Sequence, residues 1–216
     1  MTGLLTILIC SYLVGSIPVS IMVGRLVGKI DIREHGSGNA GMTNIFRVLG
    51  WKPALVVGII DILKGWFATS YIPLLPVDRI FITDFALIQI IAGCSAILGH
   101  IYTIFAGFRG GKGIATLTGM LIALYPSAIP FCFIVFAIVL MTWGYVSVAS
   151  ISTTIALPII VFLLPRFGFQ NPELSLKLFS LIIPLFILFT HRNNIKRLKE
   201  GTENRFERLM AFRHHR

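Results

Sequence analysis

Charge is what this chain has little of: Asp, Glu, Lys and Arg make up 13% of its 216 residues, about half the share of an ordinary soluble domain. That shortage argues against water as the main solvent. Cysteine is scarce as well. Cys10, Cys94 and Cys132 are scattered through apolar runs without a CxxC pair, which excludes a disulfide framework or a zinc site and leaves them as small buried hydrophobes. No low-complexity tract, long linker or compositional break marks a second domain, so residues 1–216 are expected to form a single domain. The first apolar run lacks the basic leader and the small-x-small site of a cleaved signal peptide.

Apolar length is what the chain has in excess. Hydrophobic residues make up 56% of it, and the mean hydropathy is +0.85. Apolar runs cover 4–22, 54–75, 85–98, 114–141, 146–164 and 174–189, and several reach the ~20 residues that cross a ~30 Å hydrocarbon core. The expectation is an all-α, polytopic integral membrane protein. A net charge of +10 would suit a nucleic-acid partner, but the charges fall in loops between spans, so nucleic acid is not expected.

The loop charges also orient the chain. Fifteen of the nineteen Lys and Arg residues lie in three segments, 25–52, 109–112 and beyond His191, and basic loops stay on the cytoplasmic side. The first span then runs from outside to inside and the tail ends inside, which requires an odd number of spans. Helices are expected over about 3–25, 53–75, 84–103, 147–165 and 174–191, with outer turns at 76–83 and 165–172. The stretch 112–145 must cross twice, turning at Tyr125-Pro126-Ser127, where proline breaks the helical ladder. The expectation is seven transmembrane helices, N-terminus outside and C-terminus cytoplasmic; one long tilted helix over 112–145 would give six and break the charge rule.

Three segments carry the chemistry. The first reads His35-Gly36-Ser37-Gly38-Asn39-Ala40-Gly41-Met42-Thr43-Asn44-Ile45-Phe46-Arg47. It matches GxGxxG, with Asp61 about where a ribose-binding acid would stand. Yet the preceding segment is an apolar helix, and no βαβ unit follows. What survives is an anion cradle: glycine backbone N–H groups can converge on an anion, Ser37, Asn39, Thr43 and Asn44 add donors, and Arg47 supplies a bidentate fork suited to phosphate.

The second segment runs from Gly99-His100-Ile101-Tyr102 to Phe108-Arg109-Gly110-Gly111-Lys112-Gly113-Ile114-Ala115-Thr116. The nucleotide P-loop pattern fails, because Ala106 replaces its first glycine and Gly113 its Ser or Thr. A Gly-Gly-Lys-Gly turn opening a helix is still an anion site; alternatively, Arg109 and Lys112 only anchor a helix end. The third combines Ser147 and Ser150, on one helix face, with His191-Arg192-Asn193-Asn194-Ile195-Lys196-Arg197-Leu198 and Gly201-Thr202-Glu203. His191 is either a titrating or anion-donating group or a helix C-cap. Arg192, Lys196 and Arg197 suit lipid headgroups. Asp61 and Lys64, three apart on one apolar helix, form either a functional intramembrane pair or a structural bridge to a neighbouring helix.

These three motifs, in this order over essentially the whole chain, resemble the bacterial acyl-phosphate:glycerol-3-phosphate acyltransferases. Gly36 to Asn44 looks like the family's first motif, with Met42 in place of the usual Ala. Gly99 to Thr116 looks like its second, with Tyr102-Thr103 where Phe-Pro is usual. Ser147 to Ser150 and His191 to Glu203 look like the rest. The resemblance implies seven helices in the bacterial inner (cytoplasmic) membrane and an active site facing the cytoplasm. It also implies fatty acyl phosphate as donor, lysophosphatidic acid as product, and no metal or other cofactor. The implied partners are acyl phosphate, glycerol 3-phosphate, the lipid bilayer and a candidate enzyme that supplies acyl phosphate.

Such a reaction joins two phosphate-bearing substrates, so two anion sites side by side are expected. The donor is an activated anhydride, and no protein nucleophile is required. Positioning, oxyanion stabilisation and a proton acceptor are. Arg47 and Lys112, with Ser150 and His191, are assigned to glycerol 3-phosphate; Ser37 and the Gly36, Gly38 and Gly41 backbone are assigned to the acyl phosphate. Ser37, Lys112 and His191 form the catalytic set, and Asn39, Thr43, Asn44, Gly111, Gly113, Asn194 and Glu203 complete the substrate-binding set. The acceptor is the substrate's own phosphate or His191. The soluble acyltransferase dyad HxxxxD is absent: Ala40, Phe105 and Lys196 stand five residues after His35, His100 and His191. A transporter would place its anion sites at mid-membrane within internal repeats, and none are seen. A scaffold binding partners through its basic tail would leave both glycine loops unexplained.

Overall fold

The computed structural model describes residues 2–77 and 82–206; Arg79 in the expected 76–83 turn and the basic residues from Arg208 onward lie outside them. Every regular element among the described residues is helical, as the apolar periodicity requires. The chain divides into two compact units, Met1–Leu124 and Tyr125–Arg216.

In the first unit, α1 (Thr2–Ser16) is followed by α2 (Val19–Val23) and a π-helical turn over Gly24–Gly28. Pro18 causes the break, because it lacks the N–H that would continue the ladder. Other side chains take up the carbonyls left at the end of α1. Lys64 donates to Ile17 O at 3.1 Å, and the Thr103 hydroxyl donates to Ser16 O. Proline breaks survive in apolar surroundings when neighbours satisfy the released groups in this way.

Helices α3 (Met42–Leu49) and α4 (Trp51–Ser70) follow, then α5 (Phe85–Ile101), capped by Asp84 on Leu87 N–H at 3.2 Å, and α6 (Ile114–Leu124). The 20 residues of α4 extend about 30 Å. Exposed Trp51 and Tyr71 bracket it, as aromatic belts bracket a span. Leu55, Ile59, Leu63 and Phe67 form its exposed stripe, whereas Ala54, Val57, Asp61, Lys64 and Ala68 are buried. Charge is inside and grease outside, the pattern of a helix solvated by lipid.

Two helix crossings use glycine on both partners. A Cβ at Gly15 of α1 would overlap the Ala96 carbonyl of α5, and one at Gly99 of α5 would overlap the Tyr12 carbonyl of α1. Likewise, Gly65 of α4 abuts the Thr116 carbonyl of α6, and Gly119 of α6 abuts that of Ile62. Small residues permit such approach where lipid gives no hydrophobic drive for association. The Ser95 hydroxyl, donating to Leu8 O at 2.7 Å, adds a polar tie between α5 and α1.

The second unit holds α7 (Ile129–Trp143), α8 (Val146–Leu163), α9 (Leu174–Thr190) and α10 (Arg192–Lys199). The interruption at 125–128 divides the long apolar run into α6 and α7 instead of one tilted helix. Pro130 falls in the first turn of α7, where its missing N–H costs nothing. The last expected helix is found over Leu174–Thr190; what was not expected is that the chain then bends by 60° into a further short basic helix, α10. Four helical stretches among the described residues, beginning at Thr2, Trp51, Phe85 and Val146, are long and apolar enough to cross a membrane, and α9 with α10 makes a fifth. Helices α6 and α7 have 11 and 15 residues, about 16 and 22 Å, and by length alone fall short of a span.

Candidate active site

The first glycine loop is built on a carboxylate. Asp31 accepts from the Arg33 N–H at 3.0 Å and from Arg33 Nε and Nη2 at 2.9 and 2.6 Å. The Arg33 hydrogen bonds hold its carboxyl well below the usual range, at about 2. The remaining guanidinium nitrogen, Nη1, reaches across to the second loop and donates to Ala106 O at 2.8 Å and Arg109 O at 3.4 Å. Sequence reasoning missed this pair; the signal available was two opposite charges, two residues apart, in a charge-poor chain.

Asn44 then folds the loop. Its side-chain NH2 donates to Ile32 O at 3.0 Å and His35 O at 2.9 Å, while its Oδ1 accepts from Ser37 N at 2.8 Å and from Arg47 Nη1 at 3.5 Å. At 1% exposure, Asn44 organises the loop from within. Gly36, at φ +61°, lies so close that a Cβ would overlap Asn44 Oδ1, so both its backbone sign and its space require glycine. Gly41 is the N-cap of α3, whose exposed Met42 and Phe46 lie opposite buried Asn44 and Ile45. Ser37, Asn39, Thr43 and Arg47 are half-buried, and Gly38 is exposed. Met42, the departure from the family's usual alanine, rests on Gly58 of α4, where a Cβ would meet its sulfur.

The second loop folds back on the end of α5. Gly110 N–H donates to Ile101 O at 2.9 Å and Gly111 N–H to His100 O at 3.2 Å. A Cβ at Gly111 would overlap both the Ala40 carbonyl of the first loop and His100 Nε2. The two glycine loops are therefore packed against each other, fastened at Arg33 and in contact at Gly111. Gly113, at φ +78°, turns the chain into α6, and Lys112 beside it is half-buried. In the Tyr102-Thr103 pair, Tyr102 O accepts from the Tyr12 hydroxyl at 2.5 Å and Thr103 caps α1.

In the second unit, Glu203 gathers the third motif. Its Oε1 accepts from Ser147 Oγ at 2.9 Å and Asn194 Nδ2 at 2.6 Å, and its Oε2 from Arg197 Nε at 2.8 Å. Burial alone would raise its pKa, but the Asn194, Arg197 and Ser147 bonds outweigh burial and hold it below the usual carboxylate range. Both oxygens thus serve the protein itself. Ser150 is buried and donates to Val146 O at 2.9 Å. His191 is 3% exposed, with Nδ1 at 3.0 Å from Ile187 O and 3.2 Å from Thr190 Oγ1. A carbonyl only accepts, so Nδ1 carries a proton, and in a neutral ring Nε2 is the basic nitrogen. Nothing in the spacing revealed that Glu203 closes back on α8 and α10.

Known proteins match this arrangement from end to end. The glycerol-3-phosphate acyltransferase family model matches residues 5–201. A glycerol-3-phosphate acyltransferase of Chlorobium phaeobacteroides is 43% identical over 96% of this chain and 98% of its own length. Its counterpart in Chlorobaculum tepidum is 42% identical over 95% and 97%. The crystal structure of PlsY (YgiH), an integral membrane glycerol 3-phosphate acyltransferase in its glycerol 3-phosphate form, has a TM-score of 0.77 at 35% identity, covering 94% of this chain and 95% of that one. The lysphosphatidic acid form gives 0.75 at 34% identity, covering 94% of each. Matched along nearly its whole length, the chain belongs to the glycerol-3-phosphate acyltransferase family of integral membrane enzymes.

Proposed function

We propose that the protein transfers a fatty acyl group from acyl phosphate to the 1-hydroxyl of sn-glycerol 3-phosphate, giving lysophosphatidic acid and inorganic phosphate, with residues 1–216 as one catalytic domain. The observation that carries this reading is the fastening of the two glycine loops, Arg33 on Ala106 and Gly111 against Ala40. Both substrates bear phosphate, and two adjoining cradles suit two adjoining phosphates. That relatives are described in glycerol 3-phosphate and lysphosphatidic acid forms supports the acceptor and the product.

In the reaction the acceptor hydroxyl oxygen bonds to the acyl carbon, the carbon–oxygen bond to phosphate breaks, and phosphate leaves with the electron pair. Ser37 and the Gly36–Gly41 backbone hold the donor phosphate, and N–H groups at the start of α3 favour its charge. Arg47 and Lys112 hold glycerol 3-phosphate, with Gly111 and Gly113 shaping the turn around it. Asn39 and Thr43 remain candidate donors, whereas Asn44 and Glu203 act by positioning. From the second unit, His191, Ser150 and Asn194 are assigned to the acceptor on their chemistry. The proton goes to the substrate's own phosphate; His191 Nε2 is the rival acceptor. If His191→Ala raises the glycerol-3-phosphate KM and spares kcat, the general-base role is abandoned.

The test is purified protein in detergent with radiolabelled glycerol 3-phosphate and palmitoyl phosphate, palmitoyl-CoA or palmitoyl acyl carrier protein. Labelled lysophosphatidate should form from the acyl phosphate alone. Product from the other donors would overturn the donor assignment. Uptake into proteoliposomes without product would favour a transporter.

The proposed topology is seven spans in the bacterial inner membrane, N-terminus outside, with both glycine loops and the C-terminus cytoplasmic. It is supported by the break at 125–128 and by the basic residues in three segments. In a cysteine-less background, Phe169→Cys should react with an impermeant maleimide in spheroplasts, and Phe105→Cys only after permeabilisation. The opposite pattern would invert the topology.

A further inference from the structure

Three buried ionisable side chains lie behind the second glycine loop and take no part in the roles above. Asp61 and Lys64, one turn apart on α4, pair at 2.7 Å between Oδ1 and Nζ. His100, at the end of α5, stands with Nδ1 3.5 Å from the same Oδ1. Their exposures are 1%, 5% and 8%. A buried ion pair is weak support for stability, since a well-packed apolar substitute is often as good. An ionisable cluster among membrane helices therefore points to a task beyond holding the helices.

The geometry supplies that task. His100 meets the loop twice: its carbonyl accepts from Gly111 N–H at 3.2 Å, and its Nε2 abuts the Gly111 Cα so closely that a Cβ would overlap it. On the ring's other side Nδ1 faces Asp61, whose charge fixes which edge turns inward, as carboxylates orient histidines elsewhere. Lys64 balances Asp61 and holds the Ile17 carbonyl at the Pro18 break. Ile17, Pro18, Ala40, His100, Gly110 and Gly111 line one small cavity, so the ring and the carbonyl that Lys64 holds meet both loops there.

We infer that Asp61, Lys64 and His100 form a buried charged link that sets the conformation of the Gly110–Gly113 turn, making His100 a positioning residue for phosphate binding there. The inference rests on the proposed assignment of that turn to glycerol 3-phosphate. The link acts through the shape of the turn and does not touch substrate. A misplaced backbone of this kind costs affinity steeply, because an error of about 1 Å can cost a hundredfold.

The test uses the full-length protein in detergent, with KM for both substrates, kcat and thermal midpoint measured on His100→Leu, His100→Asn, Asp61→Asn and Lys112→Met. Asn can offer an amide N–H near where Nδ1 stands. The expected result is a rise of about tenfold or more in the glycerol-3-phosphate KM for His100→Leu and Asp61→Asn. The acyl phosphate KM should stay within about twofold, and His100→Asn should recover most of the loss. Combining His100→Leu with Lys112→Met should give less than the product of the two effects, because both act on one turn. A folded His100→Leu in which neither KM changes would overturn the inference. Equal rises in both KM values with a lowered thermal midpoint, or failure of all three link variants to fold, would assign the cluster to the fold and overturn it too. The assignment of the turn is judged separately: if Lys112→Met raises only the acyl phosphate KM and the link variants follow it, the positioning role stands and the substrate changes.

Discussion

Arg33 donates through Nη1 to the Ala106 carbonyl at 2.8 Å while its other two nitrogens grip Asp31. One planar guanidinium thereby joins the two glycine loops, a geometry lysine lacks. Arg33→Lys keeps the charge and loses the fork. We expect kcat/KM to fall about tenfold with both substrates affected, since both cradles depend on the joint. Steady-state kinetics varying each substrate in turn check this; a rise confined to one KM would show that the loops move independently.

Asn44 is the second lever. Asn44→Asp has the same shape but loses the donors to Ile32 O and His35 O and sets a carboxylate against two carbonyls. Each lost buried hydrogen bond costs on the order of 1–3 kcal/mol. The variant should lose at least a hundredfold in kcat/KM, with a lowered thermal midpoint. Near wild-type kinetics would refute the organising role assigned to it.

Glu203 gives a pH-dependent expectation with a definite sign. Its folded pKa lies below the ordinary value of 4.5, so the stability it confers is present above that value and is lost as pH falls through the lowered one. Asp31, lowered from 3.8 to about 2, behaves the same way at more acid pH. The thermal midpoint of Glu203→Gln should lie below wild type by a constant margin from pH 7 to about pH 5, and the margin should shrink as pH drops further. A margin that widens in acid would contradict the network around Ser147, Asn194 and Arg197.

The crossing glycines separate space from backbone sign. Gly119→Ala meets the Ile62 carbonyl, whereas Gly168, at φ +83°, has nothing within 4 Å of a Cβ. Gly119→Ala should lower the thermal midpoint sharply and reduce yield. Gly168→Ala should cost only on the order of 1 kcal/mol for the left-handed backbone. Melting curves in one detergent compare the two directly.

Much of this was legible in the sequence, and the rest has identifiable reasons for escaping it. Apolar runs gave the helices, and Pro126 gave the break, because lipid solvation and a missing N–H act locally. The two glycine loops were readable as distinct segments because glycine, serine and basic residues cluster within a dozen positions. Asn44 and Glu203 looked like ligand contacts, since a polar residue in a site motif has the same signature whether it faces substrate or the backbone behind it. The Arg33–Ala106 joint and the His100–Asp61 approach lie across tertiary contacts that no local period encodes. The bend after Thr190 was missed because the basic segment that follows, Arg192–Lys199, read as tail.

The proline break in the first helix bears on how the protein is made. The two carbonyls at the end of α1 are satisfied by Lys64, 47 residues later, and by Thr103, 87 residues later. Helix α1 is synthesised before either partner, so its end is finished only after both have followed. Until α4 and α5 are inserted beside it, the Ser16 and Ile17 carbonyls lack these side-chain donors. A chain truncated before residue 103 would hold its N-terminal helix in an unfinished state that quality-control proteases can recognise.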